Sequence, residues 1–224
     1  MLRRRNTLLV FADQAMVSGC NFLVSALMAR YLGVADFGQW ILVFGVVIFA
    51  NTMAGGLVWI PMLTLTPKWE DEVDRQRFLA GSFAFQWVLA FAIALFVGLG
   101  GILASWARPQ WLSASIAIAV AGVALVFQLQ EWLRRYCFAI EKPGPVFVMD
   151  LLGYGGQVVL VVLLHMVDHL SLGNALIAVM LAYGSSFIVG VVTLKVQPDW
   201  GQLRFSSREL LMAGKAYLVG EQLQ

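Results

Sequence analysis

Charged residues are scarce in this 224-residue chain, at 12% of the sequence, against roughly 25% in a typical soluble domain. Apolar residues make up 60% of the chain, and its mean hydropathy is +0.80. So little charge excludes an ordinary soluble domain. Nucleic-acid binding lacks support as well, because the basic cluster Arg3 to Arg5 fits a membrane flank. The composition therefore predicts an integral membrane protein.

Cysteine and histidine are equally rare, which bears on metals and cofactors. The two cysteines, Cys20 and Cys137, lie far apart in the chain and suggest neither a disulfide nor a metal pair. His165 and His169 are spaced i, i+4, as in some metal sites, but the sequence offers no third ligand beside them. We therefore expect no metal, no cofactor and no catalytic residue.

Long apolar stretches are what the chain has in abundance. A membrane-spanning helix takes about 20 residues, and six stretches are long enough: 7–29, 38–65, 78–105, 112–133, 146–166 and 173–194. A seventh begins near Leu210 and is cut off at Gln224. We predict an all-α polytopic membrane bundle, with one six-helix lobe over 1–209 and a truncated seventh span over 210–224.

The basic residues predict how the bundle is oriented. If the N-terminus is cytoplasmic, twelve of the fifteen basic residues lie on the inner side. Two basic residues, Arg30 and Arg108, lie in outer segments, and Lys215 lies in the seventh span. Such a bias is typical of cytoplasmic loops, so we expect a multi-pass protein of the cytoplasmic membrane with its N-terminus inside. The twelve inner basic residues are Arg3, Arg4, Arg5, Lys68, Arg75, Arg77, Arg134, Arg135, Lys142, Lys195, Arg204 and Arg208.

The first span carries a polar face. Gln14, Ser18, Asn21 and Ser25 are spaced i, i+4, i+7 and i+11, which places them along one side of a helix. Such a face avoids lipid. It either forms hydrogen bonds with other spans or lines a cavity, and the spacing alone leaves both alternatives open.

Glycine and proline predict where helices break or approach one another. Gly55, Gly56 and Pro61 interrupt the second span, and we expect a kink or local break there. Such a break serves either as a gate or as a fixed bend. Gly98, Gly100 and Gly101, near the end of the third span, are small enough for close contact with a neighbouring helix.

The stretch from Gln128 to Gln157 holds most of the polar chemistry. It joins two apolar segments through the turn Lys142-Pro143-Gly144-Pro145. Helical spacing gives each segment one polar stripe, and we expect the two stripes to face each other across the turn. Before the turn the stripe is Gln128, Glu131 and Arg135 with Arg134 beside them, and after it the stripe is Asp150, Tyr154 and Gln157.

Three carboxylates fall at similar depths in their spans. With a rise of 1.5 Å per residue, Asp13 lies roughly 9 Å, Asp150 roughly 6 Å and Glu131 roughly 3 Å from the inner end. They are candidate proton-coupling residues. Arg134 and Arg135 beside them have two interpretations: they are membrane anchors neutralised by the acids, or they contact the head group of an anionic substrate.

These residues resemble those of a known transporter family. ARYLGVADFGQW (Ala29 to Trp40) is similar to a first outer loop, with Gly33, Phe37 and Gly38 at the matching positions, and QEWLRRYCFAIEKPGPVFVMDLLGYGGQ is similar to a central hairpin. The family is the polysaccharide transporter branch, of the O-antigen flippase type, of the multidrug/oligosaccharidyl-lipid/polysaccharide (MOP) superfamily. The chain looks like the N-terminal lobe of such a protein.

The resemblance implies a function and a set of binding residues. Members are non-enzymatic flippases that use two six-helix lobes to move polyprenyl-diphosphate-linked oligosaccharide across the cytoplasmic membrane, for lipopolysaccharide or other surface polysaccharide. The expected partners are membrane lipid, the lipid-linked oligosaccharide and a second lobe. The substrate-binding candidates are Gln14, Asn21, Gln128, Glu131, Arg134, Arg135, Asp150, Tyr154 and Gln157.

Two other functions are compatible with the sequence. The chain could be a non-transporting membrane subunit, or a truncated remnant, that assembles with polysaccharide-biosynthesis proteins. It could also be a membrane enzyme that acts on a polyprenyl lipid, although its loops, at most about 15 residues, argue against a catalytic domain outside the membrane.

Overall fold

The computed structural model describes residues 2–107 and 112–219, with side chains over 7–107 and 112–215, and it is helical without strands in these ranges. The side chains of Arg3 to Arg5, Arg108 and residues 220–224 lie outside this description. The α-helices are α1 (Leu2–Tyr31), α2 (Val34–Ala54), α3 (Ile60–Leu65), α4 (Glu72–Ala107), α5 (Ala114–Ala139), α6 (Pro143–Asp150), α7 (Gly156–Met166), α8 (Leu172–Leu194) and α9 (Leu203–Val219).

Six helical units in the described ranges are long and apolar enough to cross a membrane. The predicted all-α polytopic bundle is confirmed, and the chain is a multi-pass membrane protein. The units run Thr7–Tyr31, Val34–Lys68, Glu72–Ala107, Ala114–Ala139, Pro143–Met166 and Leu172–Leu194.

Two of these units extend by six residues at one end beyond the apolar stretches that predicted them. The third begins at Glu72 rather than at 78, because Glu72 pairs with Arg75 and accepts a 3.1 Å hydrogen bond from Gln76 in the first turn. The fourth continues to Ala139 rather than ending at 133. Its last turns carry charged side chains that are paired inside the bundle, so polarity does not end the helix there.

The centre of the bundle is α5. Its most apolar stretch is 61% buried, against 11% for the spans of α1 and α4. Two apolar clusters form around it, one including Val123 near Met28 and Tyr183, the other including Trp132 near Phe83. Other helices therefore take their places from contacts with α5.

Two spans contain a π-helical segment. The first, Gly55–Trp59, joins α2 to α3, so the predicted break in the second span is confirmed. A Cβ at Gly55 would collide with the Trp59 ring, which folds back over it. The second, Leu151–Gly155, joins α6 to α7 and had no recognised signal in the sequence. Extra residues in a helical turn re-aim the side chains around them, and π segments are frequent at functional sites.

The last described helix, α9, packs against the start of α4 and against the first π segment. Ser206 Oγ donates to the Phe78 carbonyl at 3.1 Å, and a Cβ at Gly214 would lie 3.0 Å from the Gly56 carbonyl oxygen. The 17 residues of α9 fall short of the roughly 20 that a span takes. The truncated seventh span over 210–224 therefore stays a prediction.

The α4–α5 contact depends on one of two adjacent glycines. A Cβ on Gly101 would lie 2.7 Å from the Ala117 Cβ, whereas one on Gly100 meets nothing within 4 Å. We expect Gly101→Ala to be less stable than Gly100→Ala by about 1–3 kcal/mol, because only the first overpacks the contact. Both changes give the same gain in helix propensity, so equal unfolding midpoints in detergent would contradict the contact.

Candidate functional site

Four charged side chains are buried together where α1, α5 and α6 meet. Asp13 is 2% exposed, Glu131 3%, Arg134 5% and Asp150 0%. All four lie within helices long and apolar enough to span a membrane. Ionisable groups are costly there and mark functional sites by default.

The guanidinium of Arg134 contacts all three carboxylates. Its Nε donates to Asp150 Oδ2 at 2.8 Å, and its Nη1 donates to Glu131 Oε1 at 2.6 Å. Its Nη2 lies 2.7 Å from Asp150 Oδ2 and 3.7 Å from Asp13 Oδ2. Charge-assisted bonds of this length are the strong ones. We call Asp13, Glu131, Arg134 and Asp150 the ion network.

Local sequence explains most of this geometry. Glu131 and Arg134 are three residues apart on α5, so they share a face. The turn between α5 and α6 is short, with Glu141 at φ 56° and Pro143 at the start of α6, where a proline costs no hydrogen bond. Asp150 therefore returns along α5 and meets Arg134, which is 16 residues earlier in the chain. The predicted facing of the two stripes is confirmed for Arg134 with Asp150 and for Glu131 with Tyr154.

Tyr154 and Gln130 complete the bonding around the ion network. Tyr154 Oη donates to Glu131 Oε1 at 3.2 Å, and the Arg134 guanidinium lies 5.5 Å from the centre of the Tyr154 ring. Gln130 Nε2 donates to Asp150 Oδ1 at 3.1 Å. Gln130 was not predicted, although its i, i+4 spacing from Arg134 places both on one face of the helix.

Arg135 links the ion network to the first π segment. Its Nη2 lies 3.3 Å from Glu131 Oε2, and its side chain is 31% exposed. The guanidinium also lies 4.5 Å from the centre of the Trp59 ring, a cation–π contact. Trp59 was not predicted, because a contact between distant parts of the chain leaves no local pattern.

The charges of this site do not balance. With Arg135 included there are two guanidinium groups and three carboxylates, a formal charge of −1 when all are ionised. A buried net charge is costly, and one bound proton removes it. Arg134 donates to carboxylates and has little exposed surface for a second anion, so of the two interpretations the geometry favours neutralised arginines. The proton-coupling roles of Asp13, Glu131 and Asp150 stay predictions.

The part of the chain that the structure describes contains no candidate metal site. No group of three His, Cys, Asp or Glu side chains there could hold an ion. His165 instead stacks on Tyr31, with ring centres 3.7 Å apart. This contact ties the end of α7 to the end of α1.

Two of the predicted glutamines form other contacts. Gln128 is buried, and Gln86 Nε2 donates to its carbonyl at 3.3 Å and to its Oε1 at 3.4 Å, which joins α4 to α5. Gln157 Nε2 donates to the Gly153 carbonyl at 2.9 Å. Gln157 also borders a cavity of about 260 Å³ together with Asn21 and Ser25 of α1. The structure thus brings Gln157 and Asn21 together but places Gln128 in a helix contact.

The predicted polar face of α1 is largely uncovered. Gln14, Ser18, Asn21 and Ser25 are exposed, and Gln14 Nε2 reaches back to Asp13 Oδ2 at 3.3 Å. Asp13 points the other way, into the ion network. One helix therefore carries both a buried charge and an exposed polar face, which leads to the cavity at Asn21.

Comparisons with protein-family models, with curated proteins and with solved structures find no match. Function is therefore inferred from the ion network and the polar face of α1.

Removing Asp150 takes from Arg134 a buried carboxylate that both its Nε and its Nη2 contact, at 2.8 and 2.7 Å. We expect Asp150→Ala to lower the free energy of unfolding by about 3–5 kcal/mol, as for other broken buried pairs. Asp74→Ala is the control, because Asp74 and Arg77 form an exposed pair at 3.4 Å that contributes at most about 1 kcal/mol. Unfolding in mixed micelles measures both. Equal losses would show that the buried pair does not hold the bundle together.

Proposed function

We propose that this bundle is one lobe of a membrane transporter that flips polyprenyl-diphosphate-linked oligosaccharide across the cytoplasmic membrane, for surface polysaccharide such as lipopolysaccharide. The observation that carries the proposal is the exposed polar face of α1. Gln14, Ser18, Asn21 and Ser25 lie on the outside of the bundle, within a helix long and apolar enough to span the membrane.

Such a face is unfavourable against acyl chains, because amide and hydroxyl groups lose their hydrogen bonds there. It needs either water or another protein surface. In a transporter lobe this face contacts the water of the central cavity and, across the cavity, the surface of the second lobe. A bundle serving only as an anchor has no use for this face.

The chemistry of the cavity beside this face suits a sugar. Asn21, Ser25 and Gln157 border it, and amides and hydroxyls both donate and accept hydrogen bonds, as sugar hydroxyls require. The resemblance of Ala29–Trp40 and of the central hairpin to O-antigen flippases supports the same substrate class. The bias of basic residues toward one side supports a cytoplasmic N-terminus.

The ion network fits a supporting role in transport. It joins α1 to α5 and α6, and binding of one proton would make it neutral. We propose that protonation of Asp13, Glu131 or Asp150 accompanies movement of α1. Arg135, the partly exposed arginine of this site, is the one able to contact the substrate's diphosphate.

The test compares two adjacent positions on α1. In vesicles containing fluorescent lipid-linked oligosaccharide, we expect the parent to accelerate translocation and Ser25→Leu to reduce it at least tenfold, because leucine removes a hydroxyl from the cavity at Asn21 and fills part of its volume. Ala26→Leu is the matched control, since Ala26 is exposed on a neighbouring face and should transport like the parent. Chemical quenching of the fluorophore in the outer leaflet measures the rate.

Two results would contradict the proposal. The first is a parent that neither binds the lipid-linked oligosaccharide in micelles nor accelerates its translocation. Copurification with a glycosyltransferase or polymerase would then favour the non-transporting subunit. The second is turnover of a polyprenyl-linked donor by the purified protein, which would favour the membrane enzyme.

A further inference from the structure

A second cavity, of about 580 Å³, lies far from the polar face, between α4, α8 and the segment that follows α8. Its walls are strongly apolar. They include Phe83, Trp87 and Phe91 of α4, Phe187 and Val191 of α8, and Trp200. We call this cavity the aromatic groove.

The walls of the aromatic groove are held in place by ring contacts. Phe83 stacks on Trp132 of α5 with ring centres 4.4 Å apart. Trp87 meets Phe187 edge to face at 5.7 Å. Aromatic pairs in these arrangements add stability beyond the area that they bury. The groove is therefore pre-formed and does not require a bound ligand to open it.

The groove opens toward hydrocarbon. Trp87 and Phe187 lie within spans, and the rim residues Ile188 and Val192 are 62% and 69% exposed. In the hydrocarbon of a bilayer, an apolar groove is filled by an apolar chain. Because it has the shape of a groove between helices rather than a flat face, one flexible chain fits it better than a second helix.

Positive charge lies at the end of the aromatic groove. Lys195 follows the last turn of α8 and is exposed, and the next residue, Val196, is buried and lines the groove. Arg204, at the start of α9, is also exposed. The nearby Asp199 accepts hydrogen bonds from the amides of Gly201 and Gln202 at 2.9 and 3.3 Å, so its carboxylate is engaged in the turn. Basic residues at a membrane surface attract anionic head groups.

We propose that the aromatic groove binds one acyl chain of an anionic phospholipid from the surrounding bilayer, with the lipid phosphate near Lys195. The apolar walls select a hydrocarbon chain, and the exposed cations select an anionic head group. This lipid site does not rest on the transport proposal, because none of the residues that line the groove borders the cavity at Asn21 or belongs to the ion network.

Native mass spectrometry of the purified chain tests the site, with phosphatidylglycerol or phosphatidylcholine added at equal concentrations. We expect the parent to retain one phosphatidylglycerol, and Ile188→Trp to retain at least tenfold less, because the indole fills the groove. Val159→Trp is the matched control. Val159 is also β-branched and is 57% exposed on α7, away from the groove, so this variant should retain lipid like the parent.

Two further variants sharpen the test. Val192→Trp fills the same groove from a second rim position, and it should lose the lipid even if Ile188→Trp folds poorly. Lys195→Gln should reduce the preference for phosphatidylglycerol over phosphatidylcholine, because it removes one of the two cations but not the groove. The proposal is overturned if the parent prefers neither lipid, if both folded rim variants keep phosphatidylglycerol, or if they break a dimer instead of releasing lipid.

Discussion

The buried guanidinium of Arg134 is the constraint on which the arrangement of the helices depends. A charge in a membrane-spanning helix is costly alone, and here three carboxylates from three helices surround it. Because Asp150 and Glu131 contact it at 2.7 and 2.6 Å, α5 and α6 are fixed to each other at this level. The Asp13 contact is longer, at 3.7 Å, so the carboxylate from α1 is the one bound least tightly to Arg134.

The ion network is connected to both π segments of the bundle. Tyr154 belongs to the second π segment and bonds Glu131. Trp59 ends the first and lies under Arg135. The carboxylate of Glu131 is thereby connected to both π segments, directly through Tyr154 and through Arg135 to Trp59. This is the physical link between the site and the proposed movement, since π segments are points where a helix can bend.

Sequence reasoning found the elements that depend on local pattern. Apolar length predicted the spans, and helical spacing paired Glu131 and Arg134 with Asp150 and Tyr154 across a proline-rich turn. It even placed Asp13 at the depth of its partners. It missed Trp59 and the second π segment, because both depend on packing between distant residues. It grouped Gln128 with the hairpin, whereas the facing Gln86 on α4 takes it as a partner.

The proposed function requires that α1 turns its charge into the bundle and its amide and hydroxyl face toward water. Labelling of single cysteines with a membrane-impermeant maleimide, after replacing Cys20 and Cys137, measures this directly. Ser18→Cys lies on the polar face near the middle of the span, and Gly19→Cys lies on an adjacent face with nothing packed against it. We expect rapid labelling of Ser18→Cys and little labelling of Gly19→Cys. Protection of both, together with reaction of both with a lipid-soluble probe, would contradict it.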